Sequence, residues 1–208
     1  MSMLHELEII DCEQGTPEWL AARAGVVTAS EFSAVMAKGR GGAPSETRRK
    51  LIYVKAAEII TGQPVQTFQG NAHTQRGHEM EPEVRDLYVA TSPVECKQVG
   101  FMLRGRIGCS PDTLVGEDGL LEIKTKLPHL QIEAVEAGVL PSEHTAQVQG
   151  QLLVSGRQWC DFRSYWPGLP QLKLRVYRDS DYLSNLTAEL ARFNSEVDAL
   201  VSRIRQMN

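Results

Sequence analysis

Three side chains near the middle of the chain have the types and spacing for hydrolytic work on a phosphate: Asp112, Glu122 and Lys124. Glu122 and Lys124 are two residues apart in a β-prone run, so both leave the same face of a strand while Ile123 points into the opposite layer. Asp112 precedes them across a Gly-containing turn, which folds its strand back beside theirs. Two carboxylates converging on one point make an oxygen site for Mg²⁺. An ammonium beside it can orient a water and stabilise charge building on a phosphoryl group.

The register of that hairpin decides whether the three groups meet. Asp112 must oppose an even-numbered residue of the second strand to share a face with Glu122 and Lys124. A three-residue loop at 117–119, with Gly119 in the left-handed conformation, pairs Gly116 with Leu120 and Asp112 with Lys124. A four-residue loop puts Asp112 opposite Ile123 and turns it away, unless a bulge intervenes.

The elements that must hold these groups follow from caps, breakers and periodicity. Thr16-Pro17 starts a helix that Gly25 stops, and Thr28-Ala29-Ser30-Glu31 matches a capping box opening a short helix before Gly39. Ser45 caps a helix running to about Thr61 before Gly62, and 63–72 reads as loop. An acidic helix follows with Met80, Val84, Leu87 and Tyr88 on one apolar face, and Pro82 implies a start near Glu81 or a kink. Strands are expected over 94–104, 107–115, 120–125, 159–166 and 172–177, and helices over 129–137, 142–154 and 180–206. This order predicts an α/β fold, a central mixed β-sheet flanked by helices, in a single domain over 1–208.

Composition narrows the class. The 208 residues are 42% hydrophobic and 23% charged, which is globular and excludes collagen-like, disordered or coiled-coil chains. The net charge of −4 excludes coating nucleic acid by bulk positive charge but leaves room for a local basic groove. The stretch 38–55 offers one, with Lys38, Arg40, Arg48, Arg49, Lys50 and Lys55 against Glu46 alone; a solvated face explains it equally well. No apolar run has membrane-spanning length and the N-terminus does not read as a secretory signal, so a soluble, cytoplasmic protein is expected. Cys12, Cys96, Cys109 and Cys160 form no closely spaced pair, which predicts free thiols and no iron–sulfur cluster. His73, His78 and His129 are not spaced as metal ligands, and Trp19, Trp159 and Trp166 read as core.

Four blocks in order carry a family resemblance: Arg23-Ala-Gly-Val-Val-Thr-Ala-Ser30, Gly77-His-Glu-Met-Glu81, Cys109-Ser-Pro-Asp112 with Glu122-Ile-Lys124, and Ala146-Gln-Val-Gln149. Together, over about residues 15–160, they resemble the bacteriophage lambda exonuclease (YqaJ-like viral recombinase) family of the PD-(D/E)xK nucleases. The resemblance implies a restriction-endonuclease-like nuclease core and a two-metal, Mg²⁺-dependent 5′-to-3′ exonuclease on linear double-stranded DNA, with Mn²⁺ able to substitute. It implies 3′ single-stranded overhangs for phage-type recombination in a bacterial host cell, a ring-shaped homotrimer, and a single-strand annealing protein as partner. By the same resemblance Asp112, Glu122 and the Ile123 carbonyl hold metal, Glu81 adds a ligand for a second ion, Lys124 assists the attacking water, and Gln147 bonds near that water or the scissile phosphate. Arg23, Ser30 and Ser110 hold a terminal 5′-phosphate, and Arg48, Arg49 and Lys50 contact the DNA backbone.

The residues themselves leave other roles open. Arg23 can cap its helix, Ser30 can serve helix initiation alone, and Gln147 and Gln149 can be solvated. Glu79 and Glu81 are about 200° apart on a helix, so only one faces the site, and Glu81 is the choice. Another PD-(D/E)xK nuclease, of restriction or DNA-repair type, and a non-catalytic DNA-end-binding protein are the alternative functions. The intact Asp112, Glu122 and Lys124 set speaks against the last.

Overall fold

The computed structural model describes residues 5–39, 41, 45–65 and 72–207, with the backbone alone for 72–79. The order of elements is β1 (Leu7–Ile10), α1 (Pro17–Arg23), β2 (Val27–Thr28), a 3₁₀ turn (Ala29–Glu31), α2 (Phe32–Met36), α3 (Glu46–Thr61) and α4 (Ala72–Thr91). Then come β3 (Cys96–Lys97), β4 (Phe101–Arg104), β5 (Ile107–Cys109), β6 (Thr113–Val115), β7 (Gly119–Thr125), α5 (Pro128–Ala137), α6 (Ser142–Ser155), β8 (Trp159–Tyr165), β9 (Leu172–Tyr177) and α7 (Ser180–Arg205). No described helix is long and apolar enough to cross a membrane.

The fold is mixed α/β with helices on the sheets, as expected, but the strands divide into two sheets. One runs β1-β4-β5-β2 and the other β3-β6-β7-β8-β9. The short strand β1, which pairs antiparallel with β4 from Leu7↔Arg104 to Ile10↔Phe101, was not foreseen. Its Glu8 and Ile9 are exposed, so the alternation that marks a half-buried strand is missing. Helix α4 continues through Pro82 and begins well upstream of it, at Ala72. Part of the region expected as loop, 66–71, lies outside the described residues, as do Arg40 and residues 42–44.

The second sheet positions the chemistry. β7 pairs parallel with β8 from Gly119↔Trp159 to Thr125↔Tyr165, with α5 and α6 in the connection. Leu120 belongs to the main core beneath α6, together with Val148, Leu152, Cys160 and Phe162. Leu121 and Ile123 pack on the other side with Val84 and Tyr88 of α4. The sheet is therefore sandwiched, α6 over the even face of β7 and α4 over the odd face. Helix α7 closes the main core through Leu183, Leu186, Leu190, Phe193 and Val197.

The β6–β7 hairpin keeps the parity required of it but not the register. Val115 pairs with Gly119, Leu114 with Leu120 and Thr113 with Leu121, so the three-residue loop is 116–118 and Asp112 falls beside Glu122, not Lys124. Gly116, with φ +54°, takes the left-handed position assigned to Gly119. Gly119 is needed for another reason: a Cβ there would come within 2.1 Å of the Trp159 ring.

Candidate active site

Glu122 is almost wholly enclosed, 2% exposed, yet its carboxylate has a partner for each oxygen. Gln147 Nε2 donates to Oε1 at 2.6 Å, Lys124 Nζ lies 2.5 Å from the same oxygen, and Gln151 Nε2 donates to Oε2 at 2.6 Å. A buried carboxyl group is costly to fold away from water unless its oxygens are hydrogen-bonded in this way. Gln147 and Gln151 are one helical turn apart on α6, so one helix face supplies both donors. Gln151 was not singled out in the sequence. Its one available signal is the four-residue spacing from Gln147. Gln149 faces elsewhere: it donates to the Tyr177 carbonyl at 2.8 Å and accepts from Asp179 N at 3.0 Å, tying α6 to the start of α7.

Asp112 reaches the same place from the end of β6. Its Oδ2 accepts from the Ile123 backbone N–H at 2.5 Å, which fixes the carboxylate beside β7. Burial pushes the Asp112 carboxyl well above its usual range, and the carboxylates of Glu122 and Glu81 push it further; Lys124 and the Ile123 N–H act in the opposite direction. Burial also opposes the Lys124 ammonium, but Glu122, Asp112 and Glu81 outweigh it and hold Lys124 above its ordinary value. Glu81 thus belongs to the electrostatic neighbourhood of the site. It pairs with Arg85 one turn along α4, at 3.3 Å, and with Asp112, Arg85, Trp19 and Gln14 it lines a cleft of about 700 Å³. The Glu79 side chain lies outside the described residues.

Three carboxyl groups stand against the Lys124 ammonium and the Arg85 guanidinium, a surplus of acidic groups that suits a divalent cation. No group of three or more His, Cys, Asp or Glu side chains among the described residues is drawn together closely enough to hold a metal unaided. A pair of carboxylates with a backbone carbonyl, leaving the other positions to water and phosphate oxygens, is the donor set Mg²⁺ favours. Asp112, Glu122 and the Ile123 backbone carbonyl are donors of that kind that could hold such an ion.

A second cluster adjoins the cleft. The Arg23 guanidinium stacks on the Trp19 ring at 3.9 Å, and Arg23 Nη2 donates to Thr28 Oγ1 at 3.3 Å, which lies 3.1 Å from Ser30 Oγ. Trp19 Nε1 donates in turn to Ser110 Oγ at 2.8 Å, and Ser110 donates to the Gly100 carbonyl at 2.7 Å. Trp19 is therefore a wall of this cleft and not core as read from the sequence. Burial draws the Arg23 pKa below its ordinary value, with Glu31 and Glu58 opposing. Arg23 is linked to Ser30 through Thr28 and to Ser110 through Trp19, with Ser30 exposed at the surface. The capping box at Thr28 is present, with Glu31 Oε2 accepting from Thr28 N at 2.9 Å, but it opens a 3₁₀ turn and the five-residue α2.

The basic stretch does not form one open face. Arg48 is buried, its fork committed to Glu196 of α7 at 2.5 and 3.1 Å, so it joins α3 to α7 and presents nothing to a DNA backbone. Lys55 is likewise buried between Glu31 and Glu58. Lys50 pairs with Glu46 on the surface at 2.9 Å, and Arg49 is exposed. All four cysteines are free thiols, with Cys109 and Cys160 buried.

Residues 18–158 match the YqaJ-like viral recombinase domain. Among solved structures, the chain is similar to an alkaline exonuclease, LHK-Exo, from Laribacter hongkongensis, with 33% identity, 92% of this chain and 97% of that chain covered, and a TM-score of 0.83. The same figures hold for that protein in complex with dAMP. A phage-related exonuclease from Haemophilus somnus 129PT shares the fold at 16% identity, with 86% and 96% covered and a TM-score of 0.64. No curated protein matches the chain significantly.

Proposed function

Because the chain belongs to the YqaJ-like viral recombinase family, we propose that it is a DNA exonuclease whose catalytic centre is Asp112, Glu122 and Lys124. The observation that carries this reading is the convergence of the Asp112 carboxylate on the Ile123 N–H and of the Lys124 ammonium on Glu122, at the edge of a cleft open to solvent. The similarity to an alkaline exonuclease over nearly the whole chain supports the same activity.

In this account Mg²⁺ would be held by Asp112, Glu122 and the Ile123 carbonyl, with Glu81 toward a second ion, and would supply an activated water and Lewis-acid stabilisation. The protein does the rest. Lys124 Nζ, already at the Glu122 carboxylate, positions the attacking water and offers a positive charge to the phosphate in the transition state. Gln147 and Gln151 hold the Glu122 carboxylate in place and aimed. Arg23, backed by the Trp19 ring, presents a fork to a terminal phosphate, with the Ser30 hydroxyl alongside and Ser110 fixing the Trp19 ring.

Degradation of the 5′-ended strand, 3′ overhangs, a trimeric ring and an annealing partner belong to the same proposal and rest on the family. The dAMP complex of the Laribacter protein is in keeping with a site that handles nucleoside monophosphates. The 5′-phosphate pocket is tested by initial rates on matched 5′-phosphorylated and 5′-hydroxyl duplexes. Arg23→Ala should slow the phosphorylated substrate roughly tenfold or more, the value of one charge-assisted hydrogen bond, and the hydroxyl substrate far less. Equal slowing of both would mean that Arg23 only braces Trp19 and Thr28.

A further inference from the structure

Beyond Glu122 and Lys124, the even face of β7 carries one more cation. Lys126 N donates to the Tyr165 carbonyl at 3.4 Å, so strand pairing continues past Thr125 and Lys126 stays on the face of Lys124. The first turn of α6 stands against it. Glu143 Oε1 lies 2.8 Å from Lys126 Nζ and 3.7 Å from His144 Nε2. The Lys126 and His144 side chains are enclosed, 13% and 16% exposed, while that of Glu143 is 59% exposed. The His144 ring rests 5.4 Å from Phe162, the residue that pairs with Glu122, and its Nε2 is buried with no hydrogen-bond partner among the described residues. Burial, and then Lys124 and Lys126, bring the imidazole down to about 4, so it is neutral near pH 7.

An enclosed ammonium and an enclosed imidazole therefore face a single exposed carboxylate, and the carboxylate is the member free to leave. A DNA phosphate brings the same charge and the same kind of acceptor oxygen. Released into water, Glu143 loses little, because a largely exposed carboxylate is readily rehydrated. We propose that Lys126 and His144 form a backbone-phosphate subsite for the DNA strand, beside Lys124, and that Glu143 covers it until DNA displaces its carboxylate. This rests on the reading that the Asp112–Glu122–Lys124 site acts on DNA.

The test is DNA affinity of the full chain in EDTA across a salt series, by anisotropy of a short 5′-phosphorylated duplex, with cleavage in Mg²⁺ followed in parallel. Glu143→Gln should tighten binding by roughly twofold to fivefold, as loss of an exposed competing ion pair allows. Lys126→Gln should weaken it about tenfold and reduce the slope of log affinity against log salt by about one. His144→Phe, which keeps the ring against Phe162, should weaken it as well. In the Lys126→Gln background, Glu143→Gln should gain nothing, which separates a local cover from a general charge effect. Unchanged or weaker binding by Glu143→Gln, in a preparation whose wild type cuts linear DNA, overturns the subsite and leaves the nuclease reading standing. A wild type that neither binds nor cuts DNA overturns both.

Discussion

At the residue scale the account turns on which groups touch the reacting phosphate and which hold those groups. Lys124→Ala should lower hydrolysis of duplex DNA by about 10²–10³-fold, the scale of losing one preorganised charge at a transition state, while affinity in EDTA stays largely intact. Gln151→Leu probes the supporting shell. It leaves Glu122 Oε2 buried without its donor, which should cost about 1–3 kcal/mol of stability and reduce activity without changing the salt dependence of binding. Chemical denaturation and initial rates on the same preparation check both effects. Asp112, Glu122 and Lys124 were legible in the sequence because a strand shows same-face residues at every second position and a tight turn returns its neighbour. Gln151 was not, since its only signal is the four-residue spacing from Gln147, which a solvated pair on a helix shares. Lys126 was passed over because its meaning depends on Glu143 and His144, residues of a helix that the sequence does not place against β7.

At the element scale, α4 and α6 decide whether the site keeps its shape, because they clamp opposite faces of β7. α4 is anchored by Tyr88, whose hydroxyl donates to Asp161 Oδ2 at 2.6 Å, while Arg175 grips the same carboxylate at 2.8 and 2.9 Å. Burial raises the Asp161 pKa, but the hydrogen bonds from Arg175 and Tyr88 outweigh it and hold the carboxyl below its ordinary value. A depressed folded-state pKa stabilises above the unfolded value and loses that contribution as pH falls through the folded one. Stability should therefore decline below about pH 4, and Asp161→Asn should remove about 1–3 kcal/mol at neutral pH and flatten that decline. Thermal denaturation across pH checks it, and a pH profile unchanged by the variant would contradict it. Most helix boundaries and the parity of the hairpin were legible from caps, glycines and alternation; the start of α4 at Ala72 was not, because Pro82 suggested a start near Glu81 or a kink. The division into two sheets was not, because β1, β2 and β3 are too short for their pattern to announce a partner. The register slipped because Gly116 and Gly119 are both glycines: only the Trp159 ring shows that Gly119 is kept for space and Gly116 for its backbone angle.

At the scale of the whole molecule, long-range pairs separate what folds the chain from what meets DNA. Arg48 and Glu196 are 148 residues apart and join α3 to α7, a contact that no local pattern in a basic run reveals. Arg48→Ala should destabilise the protein by about 1–3 kcal/mol with little change in DNA affinity, whereas Arg49→Ala should leave stability unchanged and lessen the salt dependence of binding. The reverse assignment would return Arg48 to the surface and undo the α3–α7 clasp. The central claim, that one cleft cuts DNA from an end with Asp112, Glu122 and Lys124, is tested most directly on linear duplexes labelled separately on each strand and end, beside closed circular DNA. The account predicts progressive loss of the 5′-ended strand in Mg²⁺, no cutting of the closed circle, no reaction in EDTA, and a rate about 10²–10³-fold lower with Lys124→Ala. Cutting of the closed circle, or full activity in the Lys124→Ala variant, would contradict it.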